Sequence, residues 1–347
     1  MEKAAATSSL ARDEILTLLL ADMGSAEIVF AAADEARRHE AGEEIRVRGI
    51  IEFSNFCRRD CLFCGIRAAN SYIQRYRLNE DEILGICERI RTLGIGTVLL
   101  QSGEDSEYSS DAVCRLVKRI RENLGLEVTL SIGERPAEEY RAMKEAGAEH
   151  YLLRHETADS VLYEKLHPEL SLTERIGCLE ELKRLGFEVD GGSIVGLPGQ
   201  SIRSLVSDLL LFKSTKVDMA AIAPFIPARG TPLAFESASG RLGRSSVFSA
   251  SDKEETVAEF VLKLMALTRL LLPKLQLSST SALASLLPRG REIGLRAGAN
   301  VVMINFTPAA YKEMYRVYDD RICTRETGEE AMESLKKLAD GLGRHVA

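Results

Sequence analysis

Long apolar runs are missing from this chain. Even the leucines at 18–20 are closed off by Asp22, so no window approaches the roughly 18 uninterrupted apolar residues that a membrane helix needs. Basic runs are missing too: Lys and Arg number 45 against 52 Asp and Glu, giving a net charge of −7, which argues against nucleic acid as a partner. Only 9 prolines and 26 glycines rule out a collagen-like or low-complexity chain. Arg12, Asp13 and Glu14 fall where a signal peptide requires an apolar stretch, so no secretion route is expected. The seven cysteines are odd in number and sit in a long chain, which points to reduced thiols or metal ligands in the cytoplasm and away from a disulfide framework. None of the five histidines stands at metal-ligand spacing from another.

What is present is a globular composition, 45% hydrophobic and 28% charged over 347 residues, enough for one large single-core fold or two ordinary domains. After a helical segment at about 10–40, short β-branched runs alternate with longer amphipathic stretches. Strands are expected near 46–53, 97–101, 127–131, 150–154, 188–194, 219–225, 275–280 and 300–305. The helix over 79–93 opens on Asn79 with Glu82 three residues on, a capping box. Strands that alternate with helices pair in parallel, and about eight such units predict a (β/α)₈ barrel. The expected organisation is an N-terminal helical segment (1–44), the barrel (45–308) and a C-terminal helical tail (309–347) packed on it. The Ser/Gly-rich stretch 237–251 is expected to be a surface loop within the barrel.

In such a barrel chemistry gathers at the carboxyl ends of the strands. There the chain places Asn55–Cys64, QSGED (101–105), SIGE (131–134), RHET (154–157), GGSIVGLPG (191–199), PFIPARGTP (224–232), SSTS (278–281) and Asn305. Polar and glycine-rich residues thus share one rim. The strongest signal is Cys57-x-x-x-Cys61-x-x-Cys64, three thiols within eight residues. They supply one ligand fewer than a closed tetrahedral zinc or a fully ligated iron–sulfur cubane requires, which leaves one coordination position open. A structural zinc with a fourth ligand from His155, His167 or a distant cysteine is the alternative. Cys87, Cys114 and Cys178 fall in amphipathic helical stretches and read as small buried hydrophobes.

This spacing after the first strand of a β/α barrel resembles the radical S-adenosylmethionine (SAM) enzymes. The resemblance implies one 4Fe-4S cluster on Cys57, Cys61 and Cys64, with SAM chelating the fourth iron and cleaved reductively to a 5′-deoxyadenosyl radical. Phe63 matches the aromatic residue beside the adenine. Within that superfamily, RYRLNEDEI (75–83), VLLQSGEDSEY (98–108), YLLRHETADSVLYEKLHP (151–168), PFIPARGTPLA (224–234) and REIGLRAGANVVMINFTPAAY (291–311) resemble the HydE family of [FeFe]-hydrogenase maturases, across most of residues 45–320.

By that resemblance Gly103 and Glu104 meet the SAM amino group, Ser131 lines the SAM site, and Glu156 and Arg175 contact its ribose and carboxylate. Such contacts are chemically apt, since a carboxylate can take two hydroxyls and a guanidinium can hold a carboxylate with two bonds. A structural Glu156–Arg175 ion pair is the alternative. Gln101 is expected to hydrogen-bond within the cavity. Arg154, Met219, Thr280, Ser281 and Tyr315 are implied on the substrate side, where Met219 could equally fill the barrel and Tyr315 simply pack. Some family members carry three further cysteines near the C-terminus. Here only Cys323 matches, with Ala331 and Ser334 at the later positions, so no second iron–sulfur cluster is expected.

The resemblance further implies an iron-bound, cysteine-derived substrate delivered by HydG, a product destined for HydF in diiron subcluster assembly of the hydrogenase H-cluster, and a reducing electron donor. The alternatives are a relative of methylornithine synthase or of biotin synthase, or a non-enzymatic iron–sulfur or zinc carrier.

Overall fold

The computed structural model of the chain describes residues 10–238, 254–324 and 326–347, the side chains of 237, 238, 254, 255 and 323 excepted. Two helices, α1 (Arg12–Leu20) and α2 (Met23–Ala41), precede the first strand, β1 (Glu44–Ser54). Then come α3 (Glu80–Thr92), β2 (Thr97–Ser102), α4 (Ser110–Leu124), β3 (Glu127–Ser131), α5 (Ala137–Glu145) and β4 (His150–Leu152). A pair of helices, α6 (Ser160–Leu166) and α7 (Leu172–Arg184), leads to β5 (Glu188–Val195), α8 (Ile202–Ser214) and β6 (Met219–Pro224). After α9 (Pro232–Ala238) and α10 (Glu254–Leu271) follow β7 (Gln276–Ser279), α11 (Ser281–Leu286), α12 (Gly290–Arg296) and β8 (Val301–Asn305). The chain ends in α13 (Ala309–Lys312), a 3₁₀ turn (Ile322–Thr324), α14 (Gly328–Gly341) and β9 (His345–Val346).

Strands β1 to β8 pair in sequence order, all parallel, and β8 returns to β1 over Arg46–Ile50 and Val301–Asn305, which closes an eight-stranded (β/α)₈ barrel. The short β9 adds to the outer start of β1 through Glu44 and Ile45. The Ser/Gly-rich stretch expected as a loop begins inside α9, and its residues from 239 onward lie outside the described residues.

Local chemistry sets where the helices begin. Asn79 Oδ1 accepts from the Glu82 amide at 2.9 Å while the Glu82 carboxylate accepts from the Asn79 amide at 2.7 Å, and the first turn of α3 is acidic. Ser171 caps α7 by accepting from the Glu174 amide, and Asp159 caps α6 by accepting from the Leu162 amide. The main core lies between sheet and helices, built from residues such as Val98, Val128, Val189 and Ile304 on the strands. Inside the barrel, Leu99, Leu152, Met219 and Val301 form an apolar layer with Ile50 and Met303. Beneath it Arg48 crosses from β1 to Asp190 on β5 and reaches Gln276 of β7 at 3.2 Å. That layer and that ion pair plug one end of the barrel, so the cavity opens only toward the carboxyl ends of the strands. Among the described residues no helix is long and apolar enough to cross a membrane.

Candidate active site

The loop that carries the three thiols leaves β1 at Asn55 and returns beside it. Arg77 bridges Ser54 in antiparallel sense, and the Leu78 amide donates to the Phe53 carbonyl at 2.8 Å. Asn55 is fully buried and knots this neck, donating to the Gln74 and Met314 carbonyls (2.7 and 2.8 Å) and accepting from the Tyr76 amide (2.8 Å). Further along, the Leu62 amide donates to the last carbonyl of α6, Leu166, at 2.9 Å, and Phe63 packs edge-on against His167 with ring centres 5.1 Å apart. Gly65 must be glycine, since a Cβ there would lie 1.8 Å from the Arg316 carbonyl oxygen.

Cys57, Cys61 and Cys64 all face one cavity of about 360 Å³ at the mouth of the barrel. Burial pushes the Cys64 thiol up to about 12 and raises those of Cys57 and Cys61 as well, each with help from neighbouring negative charge. Without a metal the sulfurs therefore hold their protons, and metal binding must displace them. Among the described residues no group of His, Cys, Asp and Glu side chains converges tightly enough to hold a single ion. Neither His155 nor His167 lines the cavity. His155 packs on Phe212 and His167 stacks on Tyr163, its Nδ1 within 2.9 Å of the Tyr163 carbonyl. The fourth ligand that a closed zinc site needs is thus not supplied by either.

Across from the sulfurs runs a chain of charges. Glu104, after β2, accepts from Arg58 Nε (3.0 Å), Arg59 Nε (2.6 Å) and the Glu134 amide (3.1 Å). Arg175 of α7 donates from Nε to Glu134 at 2.6 Å and from Nη1 to the Arg154 carbonyl at 2.8 Å. Burial disfavours its charge, but Tyr163, Glu134, Glu104 and Glu156 around it raise its pKa overall. Glu156 takes the Arg154 Nε at 3.0 and 3.2 Å. The structural Glu156–Arg175 ion pair weighed above therefore does not form; each has another partner. Glu156 also stands at φ 63°, in the left-handed region that carries strain for a non-glycine residue, pinned there by hydrogen bonds to Gly192 and Ile194. Strain of this kind persists where the surroundings over-determine it, and it concentrates at functional sites.

Fourteen of the fifteen site residues expected from the sequence line this cavity: Phe63, Gln101, Gly103, Glu104, Ser131, Arg154, Glu156, Arg175, Thr280, Ser281 and Tyr315 join the three cysteines. Met219 is the exception. It lies fully buried in the apolar layer inside the barrel, packed with Leu99, Leu152 and Val301, and is not among the residues lining the cavity; it fills the barrel, the alternative given above. Gln101 Nε2 donates to the Tyr315 hydroxyl at 3.2 Å, and the Ser281 hydroxyl meets that of Tyr318 at 3.2 Å. Thr280 also caps α11, accepting from the Leu283 amide at 3.3 Å.

Sequence reasoning missed a second charged group in the cavity wall. Glu52 of β1, buried, pairs with Arg321 and accepts from Asn305 Nδ2 at 2.8 Å, while Arg321 also donates to the Tyr315 carbonyl. An alternating-strand position such as Glu52, a charge aimed inward on a barrel strand, was the available signal.

The sequence from residue 51 to 212 matches the family model of the radical SAM superfamily. Over 327 residues the chain is 45% identical to the [FeFe] hydrogenase maturase subunit HydE of Thermotoga maritima, covering 94% of this chain and 89% of the relative. The chain belongs to the radical SAM superfamily and, within it, to the HydE family. It is also 29% identical to 3-methylornithine synthase of Methanosarcina acetivorans, over 97% of this chain and 91% of that one. The crystal structure of a methylornithine synthase superposes with a TM-score of 0.81 at 26% identity, covering all of this chain and 96% of the other.

Membership in the radical SAM superfamily brings a 4Fe-4S cluster and SAM as cofactors, and the cavity fits both. Its three sulfurs come from one loop, and Gly103 lies against that loop so closely that a Cβ there would sit 2.6 Å from Cys57 Cβ. The sulfurs share the cavity with carboxylates and a guanidinium able to hold an amino acid's ammonium and carboxylate and a ribose. Cys87 is buried in α3, and Cys114 and Cys178 are half-buried in α4 and α7, away from the cavity; the Cys323 side chain lies outside the described residues.

Proposed function

We infer that this radical SAM enzyme serves the maturation of [FeFe]-hydrogenase, acting in assembly of the diiron subcluster of the H-cluster. The observation that carries the chemistry is the wall of three cysteines facing a cavity with no histidine and no fourth cysteine among its described lining residues. The maturation assignment rests on the 45% identity to HydE against 29% to the 3-methylornithine synthase.

Cys57, Cys61 and Cys64 would hold the cluster, which when bound supplies the electron that cleaves the sulfur–carbon bond of SAM to give a 5′-deoxyadenosyl radical. Glu104 and the backbone at Gly103 take the SAM ammonium, Ser131 and Gln101 flank it, Glu156 takes the ribose hydroxyls and Arg175 the carboxylate. Phe63, held by His167, supplies a flat apolar surface for the adenine. Arg154, Thr280, Ser281 and Tyr315 face the substrate, an iron-bound, cysteine-derived species supplied by HydG, with HydF as the acceptor of product. The closed barrel floor keeps water from the far end of the cavity, which protects a reactive alkyl radical from quenching. Ala331 and Ser334 offer no thiol beside Cys323, and the reading assigns one cluster to the chain. The reading places the protein in the cytoplasm, supplied by a low-potential electron donor.

Anaerobically reconstituted protein given dithionite and SAM should release 5′-deoxyadenosine, and Cys61→Ala should abolish the release. A Cys61→Ala protein that cleaves SAM at the wild-type rate would refute the assignment of the cluster. Formation of 3-methylornithine would favour the methylornithine-synthase reading over maturation.

A further inference from the structure

Arg75 does not line the cavity, yet its guanidinium sits within the cysteine loop. Nη1 donates to the carbonyls of Asn55 and Ile66, the latter at 2.8 Å. Nη2 donates to those of Arg67 at 2.5 Å and of Ala68 and Asn70, both at 3.4 Å. Asn55 lies two residues before Cys57 and Ile66 two residues after Cys64, so one side chain ties together both ends of the segment that bears all three thiols. This demands a planar fork of several donors in fixed directions; an ammonium on a flexible stem cannot reach carbonyls on both sides at once.

The acceptors are neutral carbonyls, and among the described residues no carboxylate forms a salt bridge with Arg75, so its charge is not cancelled by direct pairing. That charge sits inside the loop: Nη1 is bonded to backbone two residues before Cys57 and two residues after Cys64. In the half-buried interior of the loop, screening by water is weak.

We propose that Arg75 is a positioning residue that holds the three-cysteine loop in its cluster-binding shape and, as a fixed positive charge inside the loop that carries the sulfurs, raises the reduction potential of the cluster. It rests on the reading that Cys57, Cys61 and Cys64 hold an iron–sulfur cluster. One-electron reduction adds negative charge to the cluster and leaves every bond and proton of Arg75 in place, so the effect is electrostatic.

The test compares wild type, Arg75→Lys and Arg75→Gln as full-length, anaerobically reconstituted proteins. Iron loss to a chelator reads the clamp, and a dithionite redox titration followed by electron paramagnetic resonance, without SAM, reads the charge. Both variants should lose iron several-fold faster than wild type. Arg75→Lys should keep a midpoint near that of wild type, whereas the midpoint of Arg75→Gln should move to more negative potential. Wild-type rates of iron loss in both variants would overturn the clamp. An unmoved midpoint in Arg75→Gln, or an equal displacement in Arg75→Lys, would overturn the charge effect. If Arg75→Gln holds no iron, its circular dichroism melt decides: a wild-type melt of the metal-free protein supports a defect confined to the loop, and global destabilisation counts against it. A wild-type protein that binds no iron–sulfur cluster would refute the underlying site and not Arg75 alone.

Discussion

At Gly133 the backbone takes φ 79°, and a Cβ there would lie 2.0 Å from Cγ of Glu104. The glycine lets the Glu104 carboxylate lie flat against the loop after β3, where the Glu134 amide donates to it. Gly133→Ala should therefore displace Glu104, leave iron content unchanged, and weaken SAM binding on the order of tenfold or more, the scale of one lost charge-assisted hydrogen bond. A calorimetric SAM titration of the reconstituted variant checks this; wild-type affinity would mean that Glu104 is not needed where the glycine puts it. Glu104 itself was legible as part of a motif, and so were the cysteines, because such motifs are local in sequence. Glu52 and Arg321 were not, since they stand 269 residues apart and only barrel closure brings them together. In the sequence Met219 stays open between cavity wall and barrel filling for a similar reason: a strand residue's depth inside a barrel depends on stagger between strands, which composition does not carry.

Among the elements, the strands were legible because runs of β-branched residues recur at intervals set by the intervening helices, and α3 because its cap is written in Asn79 and Glu82. The two-residue β9 was not, being too short for any periodicity. Nor was the segment between β8 and α14, which passes over the mouth of the barrel. It puts Tyr315 into the cavity wall, brings Val317 to the Gly65 amide at 3.0 Å and docks through Arg321 on Glu52. Its placement is decided by these long-range contacts and not by local propensity. Helix α6 shows the opposite case, a regular helix whose role emerges only in the fold. Its last turn holds Leu62 through Leu166 and backs Phe63 with His167.

For the whole molecule, three buried histidines set an acid limit. Burial holds His150 and His167 down at about 4 and His155 at about 3, against 6.5 for an exposed ring. Between pH 6.5 and 4 the unfolded chain binds more protons at these rings than the folded one, so their contribution is intact above pH 6.5 and is lost as the pH falls through that window. Each adds a slope of up to about 1.4 kcal/mol per pH unit. Asp190, raised to about 6 by burial, and Asp208, which burial also raises well above the usual carboxylate range, oppose them, because the folded state binds their protons more readily than the unfolded one. The melting temperature should fall between pH 6.5 and 5, and less steeply in His167→Asn, whose amide can still donate to the Tyr163 carbonyl; an equal slope in that variant would remove His167 from the account. The barrel closed below and open above makes its mouth the place where the proposed function puts cluster, SAM and substrate. The central claim is that the protein leaves one metal vertex open there, and electron paramagnetic resonance of the dithionite-reduced holoprotein, before and after SAM is added, tests it most directly. The account predicts four irons per chain and a signal whose g-values change when SAM binds. A zinc-saturated site, or an iron signal that SAM leaves unchanged, would contradict it.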